Sequence, residues 1–361
     1  MGNKLPENIQ QQCLKYGQDQ KEILNLMDYL KNKGYQCQDI IGKGANGVVL
    51  RAFSQKLNRG VAIKCIKVED KSFEKLKSEY DVIQKFKQAS YLLQAFDSFQ
   101  VIQQAFNLFF IVTELCEGDL SDLISSKKQL NRSQILKIFT QLLLGIIEME
   151  QNQILHLDIK PKNILFREFQ GSYQVKFADF GLSKNISSKG YTSNMSGRLG
   201  TYNYVSYEVL NEIKPYSHKT DLYSLGIVFI ELLLGRLIKE DKGEPALLRN
   251  DKIYDVIQNN IQDQFLVDKV IKKMVTRHDQ RESAQELLFK VANLLLQEDL
   301  ISTPDKKIYF LDQDQLLLDK MKNSIGYAGA TNLGTGISQC KNLTFLSLHL
   351  KQTYLFSWFM E

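Results

Sequence analysis

Four short stretches of this chain hold residue types that do chemistry when they are brought together. The first is Gly42-Lys43-Gly44-Ala45-Asn46-Gly47-Val48-Val49, a G-x-G-x-x-G-x-V run. Dinucleotide-binding loops share this glycine spacing, but they lead from a strand into a helix. Here both flanks are strand-like, so the run is expected at the tip of a hairpin. Glycines there let backbone N–H groups approach phosphate oxygens with no Cβ in the way; taken alone, the run reads equally as an ordinary glycine-rich hairpin. The second stretch, Val61-Ala62-Ile63-Lys64, ends an apolar strand on a lysine 17 residues past Gly47. An unpaired ammonium in apolar surroundings is costly, so it needs a counter-charge. The helix-period segment Phe73–Phe86 offers Glu79 on the side of Val82, Ile83 and Phe86. Glu74, about one and a half turns away, is the weaker candidate. A Lys64–Glu79 pair would hold the ammonium against the α- and β-phosphates of a nucleotide. The third and fourth stretches are His156-Leu157-Asp158-Ile159-Lys160-Pro161-Lys162-Asn163 and, 16 residues beyond Asn163, Asp179-Phe180-Gly181.

The elements that must position these groups change character along the chain. Residues 5–33 carry apolar positions at helical spacing (Ile9, Cys13, Tyr16, then Ile23, Leu26, Met27, Leu30) and stop at Gly34, a pattern that predicts a helix packed on the main domain. From Gln38 to Ile66 the runs Ile40-Ile41, Val48-Val49-Leu50 and Val61-Ala62-Ile63 are β-like, broken by glycines and by the turn at Asn58-Arg59-Gly60. Leu108–Leu115 is a further strand. From Arg132 onward helices dominate: Ile135, Ile138, Phe139, Leu142, Leu143, Ile146 and Met149 share one face of a helix capped by Asn131. More helices are predicted at Leu222–Leu234, Lys252–Gln262, Phe265–Val275 and Ala284–Gln297. A β-rich first part and a helical second part imply an α+β chain of two lobes with a cleft between them.

Composition narrows the function class. Hydrophobic residues at 43% and charged residues at 24% are those of a globular domain, which excludes a disordered tail or a disulfide-stapled mini-domain. A net charge of +5 over 361 residues is too diffuse for a nucleic-acid-binding face. The five cysteines (Cys13, Cys37, Cys65, Cys116, Cys340) are scattered, with no CxxC pair, so neither a disulfide framework nor a zinc site is expected and a reducing, cytoplasmic compartment is. No apolar run follows a basic start, so no signal peptide is expected. Leu222–Gly235 contains Glu231 and is too short for a transmembrane segment. The start Met1-Gly2-Asn3 has Pro6 where an N-myristoylation signal wants Ser or Thr, which speaks against that anchor.

The glycine run, Val61-Ala62-Ile63-Lys64, His156–Asn163 and Asp179-Phe180-Gly181 stand in the order and at the spacing of the protein kinase family, which the chain resembles from about Gly34 to Asp299. The likeness continues through Gly200–Glu208, which aligns with the end of the family's activation loop. Asp221, Ser224 and Gly226 match its buried central helix, and Arg281 matches the late arginine that pairs with the Glu208 position. Lys160-Pro161 resembles the serine/threonine branch. The resemblance implies a two-lobed fold, with a small β-rich N-lobe (35–115) and a larger helical C-lobe (116–299) around an ATP cleft. The helical extension 1–34 and a tail, 300–361, flank it. It implies Asp158 as the group that orients a substrate Ser/Thr hydroxyl and takes its proton, Lys160 on the γ-phosphate, and Asn163 with Asp179 on Mg²⁺, Mn²⁺ being a possible substitute. ATP would lie under Ile41, Gly42, Gly44 and Gly47, with Lys64 and Glu79 on its phosphates. Its base would sit between Val49, Ala62 and Leu165, with Thr113 controlling the pocket behind, Glu114 to Cys116 supplying backbone groups, and Asp119 near the ribose. His156, Phe180, Gly181 and Thr201 complete the frame, Thr201 by contacting Lys160 and Asp158.

Departures from the pattern matter as much. Leu157 stands where the family has an arginine that meets an activation-loop phosphate, so control through that contact is not expected. Ser206-Tyr207-Glu208 replaces Ala-Pro-Glu, keeping the carboxylate and losing the proline. Thr192, Ser193, Ser196 and Thr201 are candidate phosphate acceptors in a segment that reads equally as a solvated loop. In the tail, Gly336–Leu350 has the L-x-x-L-x-L spacing of one leucine-rich repeat, or else forms a short amphipathic strand. Three functions fit. One is an active kinase with protein substrates; the second is a pseudokinase scaffold that binds nucleotide; the third is a small-molecule kinase, which the peptide-binding type of Gly200–Glu208 disfavours. A regulatory partner for the N-terminal helix or the tail is compatible with each.

Overall fold

The computed structural model describes residues 5–44, 47–68, 73–86, 89–102, 107–126, 128–169, 171–186, 191–192, 200–238 and 252–302. The Met1-Gly2-Asn3 start, Ser193, Ser196 and the repeat-like stretch of the tail lie outside these residues.

The N-terminal pattern resolves into two helices rather than one, α1 (Glu7–Tyr16) and α2 (Gln20–Asn32). Gly17 ends α1 in the left-handed conformation that glycine adopts without strain, and the Asp19 carboxylate then caps α2 by accepting from Glu22 N at 2.8 Å. A five-stranded antiparallel sheet follows, built from β1 (Tyr35–Gly44), β2 (Gly47–Ser54), β3 (Arg59–Val68), β4 (Ala95–Ile102) and β5 (Asn107–Glu114) in the order β1-β2-β3-β5-β4. Strand alternation gives this sheet two different faces. Val48, Leu50, Ala52, Val61, Ile63, Cys65, Phe110 and Val112 form one core with Ile9, Cys13, Ile23, Leu26 and Leu30 of the helix pair. Each fully buried aliphatic chain there contributes roughly 1.5–3 kcal/mol, so α1 and α2 are part of the lobe's core. The other face carries Ile66, Val68, Phe109 and Ile111, packed with Tyr80 of α3 (Phe73–Gln84), and faces the second lobe.

In that lobe, β6 (Gly118–Asp119) and α4 (Leu120–Ser125) lead to α5 (Arg132–Gln151), whose N-cap Asn131 forms a reciprocal capping box with Gln134. Then come β7 (Ile154–Leu155), a 3₁₀ turn (Pro161–Asn163), and the hairpin β8 (Ile164–Phe169)–β9 (Ser172–Phe177), with β6 pairing to β8. Short strands β10 (Lys184–Asn185) and β11 (Tyr191–Thr192) pair with β7 and with β12 (Tyr216–Ser217), and α6 (Tyr207–Leu210) precedes β12. The central helix α7 (His218–Leu234) is apolar almost all round, as a helix enclosed by others must be, and its Phe229 stacks on Phe139 of α5. After α8 (Lys252–Asn260), the helix predicted at Phe265–Val275 is interrupted: α9 (Gln264–Leu266), a π turn (Val267–Ile271) and α10 (Lys272–Val275) follow one another. The wider turn keeps Leu266, Val267, Val270, Ile271 and Met274 all fully buried. A Cβ on Gly226 would meet Val275 Cγ1 at 2.9 Å, so only glycine lets α7 and α10 approach this closely. The last helix, α11 (Ala284–Ser302), packs on α5. No helix among the described residues is long and apolar enough to cross a membrane.

One buried ion pair ties this helical lobe together. Arg281 grips Glu208 of α6 through two bonds, Nη1 to Oε1 at 2.6 Å and Nη2 to Oε2 at 2.9 Å, and also donates to the carbonyls of Thr276 and Lys219. Burial raises the Glu208 carboxyl, but the guanidinium outweighs it and holds that carboxyl below its usual range. Removing one partner strands the other charge in the interior. Arg281→Ala is therefore expected to lower the urea-unfolding free energy by about 3–5 kcal/mol; a loss under about 1 kcal/mol would place the pair with weak surface bridges.

Candidate active site

The segment His156–Asn163 is held by its backbone. Asp221, fully buried in the first turn of α7, accepts from His156 N and Leu157 N at 2.8 Å each. With both amides fixed, Leu157 takes φ +64°, a left-handed conformation few leucines adopt. Its side chain turns into an apolar cluster with Leu155, Ile186 and Tyr216. Its carbonyl lies against Gly200, where a Cβ would come within 2.6 Å of that oxygen and where φ is +76°. His156 Nδ1 accepts from Asp158 N at 3.3 Å, so Nε2 carries the proton and donates to Ala178 O at 3.0 Å. The His156 ring packs 4.9 Å from that of Phe180, and Phe180 packs 4.9 Å from Phe86, just past α3. Aromatic contacts thus run from one lobe into the other.

Asp158 is the centre of a polar cluster. Its Oδ2 accepts from Lys160 Nζ at 2.7 Å and from Asn163 Nδ2 at 2.8 Å, and its Oδ1 accepts from Thr201 Oγ1 at 2.7 Å. Lys160 Nζ also donates to Thr201 Oγ1 at 2.7 Å, the contact expected of Thr201. The Asp158 side chain keeps 11% of its surface exposed, which desolvates it while leaving it reachable. Asn163 donates a second time to Asp158 O, so its amide nitrogen is turned to the aspartate and its oxygen away from it.

Asp179 reaches the same region because β8 and β9 pair Ile164 with Phe177, and Ala178 N bonds Asn163 O at 2.8 Å. At φ +62° it is the second non-glycine residue here held in the left-handed region. Lys64 Nζ lies 3.3 Å from its Oδ1. Burial raises the Asp179 carboxyl, yet the Lys64 ammonium, aided by Lys160, overrides this and holds it below the usual carboxylate range. Lys64, placed on β3 as expected, thus meets Asp179; Glu79 falls on α3, but its side chain, with that of Glu74, lies outside the described ones.

On the nucleotide side of the expectation, Gly44 pairs with Gly47 at the end of the β1–β2 hairpin, and Ala45 and Asn46 at its tip lie outside the described residues. Gly47 is obligatory for packing, since a Cβ would sit 1.9 Å from Cys65 O, whereas at Gly42 it would make an ordinary contact with Val49. Cross-strand pairing of Val49 with Lys64 and of Ala62 with Thr113 puts these four on one sheet face; Ile41 falls in the irregularity of β1 just before Gly42, and Leu165 pairs with Lys176 in the β8–β9 hairpin. Asp119 is the N-cap of α4, accepting from Ser121 N, Asp122 N and Ser121 Oγ. In the connecting strand Glu114 donates its N–H to Gln94 O, and Arg167 donates to the Leu115 carbonyl. The Glu114 carboxylate is buried between Lys176 Nζ at 2.7 Å and Arg167 Nη2 at 3.2 Å, with Lys176 only 7% exposed. Sequence reasoning missed this cluster, although Lys176 in an apolar strand carries the same signal that singled out Lys64. Burial pushes the nearby Cys116 thiol up to about 11 against the opposing pull of Arg167, so it stays protonated at neutral pH.

A second carboxylate that sequence patterns left in the core, Glu231 of α7, is fully buried and accepts from Tyr204 OH at 3.1 Å and Ile238 N at 2.8 Å. Burial raises it to about 7, only partly countered by those donors. The folded protein therefore binds a proton here that the unfolded chain releases near its ordinary value of 4.5, and stability falls as pH rises through that interval. Urea unfolding at pH 5 and pH 8 is expected to show a drop of about 2–3 kcal/mol from this group that Glu231→Gln removes; an identical pH dependence in both proteins would refute it.

Residues 35–299 match the sequence model of the protein kinase domain. Curated relatives include the serine/threonine-protein kinase nekl-2 of Caenorhabditis elegans, 30% identical over 70% of this chain and 72% of that protein. The serine/threonine-protein kinase pakH of Dictyostelium discoideum is 33% identical over 56% of this chain and 37% of its own length, and the carbon catabolite-derepressing protein kinase of Secale cereale is 31% identical over 44% and 32%. The matched span runs through the glycine hairpin, the Asp158 cluster, Asp179 and the Glu208–Arg281 pair, and it takes in almost three quarters of the sequence. The chain belongs to the protein kinase family, among relatives that are serine/threonine kinases.

Proposed function

We propose that the chain is an active protein kinase that transfers the γ-phosphate of ATP to Ser and Thr hydroxyls of protein substrates, using residues 35–299 as its catalytic unit in the cytoplasm. The observation that carries this reading is the bonding of Asp158 to Lys160, Asn163 and Thr201 at 2.7–2.8 Å. In this reading Asp158 accepts a hydrogen bond from the incoming hydroxyl, aligns its oxygen with the γ-phosphorus and takes its proton as the new oxygen–phosphorus bond forms and the bond to the bridging oxygen breaks, releasing ADP. Lys160 shares charge with a γ-phosphate oxygen, and Thr201 keeps the lysine and the aspartate in register. Lys64 supplies positive charge to the α- and β-phosphates, while the backbone of Gly42, Gly44 and Gly47 approaches them from above. The donor set fits a hard cation: the Asp179 carboxylate, held ionised, and the amide oxygen of Asn163, turned away from Asp158, would hold Mg²⁺ or Mn²⁺. The ion, when bound, neutralises charge on the phosphate oxygens. Backbone groups of the connecting strand from Glu114 to Cys116 read the base edge, and Asp119, at the start of α4, lies near the ribose.

Leu157 gives the reading its regulatory side. Where a phosphate-binding arginine would need a phosphorylated loop for neutralisation, an apolar contact with Leu155, Ile186 and Tyr216 holds this backbone without added charge.

Two experiments test the proposal. Purified protein with radiolabelled ATP, Mg²⁺ and a basic protein acceptor is expected to label Ser or Thr, and Asp158→Asn to reduce the rate by roughly 10²–10⁴-fold. ATP binding without transfer in either Mg²⁺ or Mn²⁺ would favour a nucleotide-binding scaffold instead. Phosphatase treatment is expected to leave the rate within about two-fold; a collapse of activity would show that a phosphorylated site controls the enzyme despite Leu157.

A further inference from the structure

We infer that α1 is a positioning device for the glycine hairpin and that Gln12 is the residue through which it acts, an inference that rests on the nucleotide-binding reading above. Strand β1 loses register with β2 twice, between Cys37 and Asp39 and between Ile40 and Gly42. Such irregularities leave backbone groups that the ladder does not satisfy and bend the strand. At the second one, immediately before Gly42, Ile40 N donates to the side-chain Oε1 of Gln12 at 2.7 Å, a contact that spans 28 positions of sequence. The same amide donates through Nε2 to Asp39 Oδ1 at 3.3 Å, and Asn8, one turn earlier on α1, donates to that oxygen at 3.2 Å. The other Asp39 oxygen lies 3.6 Å from Arg51 on β2, so the contact engages both strands of the hairpin.

Three further observations make this more than a surface hydrogen bond. Ile9 and Cys13, on either side of Gln12 along α1, are buried with Ile40, so the helix that carries the amide is fixed to the sheet. On β2 the support differs: Gly47 and Val48 line a cavity of about 470 Å³ beneath α2, together with Ile23, Leu26, Cys65 and Leu108. Even so, β2 is held on its far side by the ladder to β3, which pairs Gly47 with Ile66, whereas β1 is an edge strand, so the position of its last residues follows the α1 anchor. Finally, α1 lies ahead of the residues that match the kinase domain, which begin at 35. The device thus lies outside the matched domain, placed where a small change in the angle of β1 is delivered to Gly42 and Gly44. Gln12 touches neither nucleotide nor substrate; it is a positioning residue.

The test uses the full chain with Gln12→Met, which keeps the length of the side chain and removes the acceptor. Affinity for a fluorescent ATP analogue with Mg²⁺ is read directly, beside steady-state transfer with ATP and acceptor varied separately. The expected result is a Kd for the analogue and a KM for ATP raised about 3- to 10-fold, the worth of one hydrogen bond. The KM for the acceptor and kcat stay within two-fold of the parent. Gln12→Glu combined with Asp39→Asn reverses the polarity of the side-chain pair while keeping an acceptor for the Ile40 amide, and is expected to restore nucleotide affinity. Unchanged nucleotide affinity in Gln12→Met would overturn the inference. So would a uniform loss of stability, kcat and both KM values, or failure of the double variant to restore binding. A parent protein that binds the analogue but transfers no phosphate overturns the activity proposal alone, since the binding measurement still decides the role of Gln12; a parent that binds no nucleotide overturns both.

Discussion

A single buried carboxylate sets the geometry of the catalytic segment. Asp221 spends its two oxygens on two consecutive backbone amides, His156 and Leu157, in an interior where an unbonded N–H would be expensive. That anchorage permits the left-handed Leu157, which turns the chain so that Asp158 faces the cleft and His156 faces inward. The protonated nitrogen of His156 then bonds the carbonyl just before Asp179, the other residue held left-handed. Two strained conformations are maintained by one fixed point and the histidine that links them. A free-standing loop with the same sequence would relax out of both.

The N-lobe sheet solves a different problem, that of carrying a functional face and a core face on the same strands. Period-two alternation separates them: Val49, Ala62, Lys64 and Thr113 on one side, Val48, Val61, Ile63 and Cys65 on the other. The helices α1 and α2 cover the second side. An outward face this apolar could not stand in water, and the burial of Ile9, Cys13, Ile23, Leu26 and Leu30 answers it.

Much of this was legible in the residues. Motif order identified the family, and the helical period with Asn131 as cap found α5, because those signals are local or depend only on spacing. The strands β8 and β9 were not found, since Arg167, Glu168 and Lys176 break their apolar alternation; those charges are satisfied by Glu114 and Lys128, both distant in sequence. The split between α1 and α2 escaped because the apolar spacing runs on through Gly17 and only the left-handed cap ends the helix. Glu231 and Gln12 were invisible for the same reason as the ion cluster: their meaning lies in partners that the fold supplies. Asp119 shows the converse: its capping of α4 is a local signal, written in the residues that directly follow it.

The buried ions around Glu114 bear on how the two lobes of the kinase domain move. Glu114 ends β5 of the small lobe, while Lys176 and Arg167 belong to the β8–β9 hairpin of the large one. Pulling them apart would strand charge in a dry environment at a cost of several kcal/mol, so the inexpensive breathing motions are those that leave this knot closed and swing around it. The connection beside Cys116 is thereby stapled to the large lobe by charge as well as by chain.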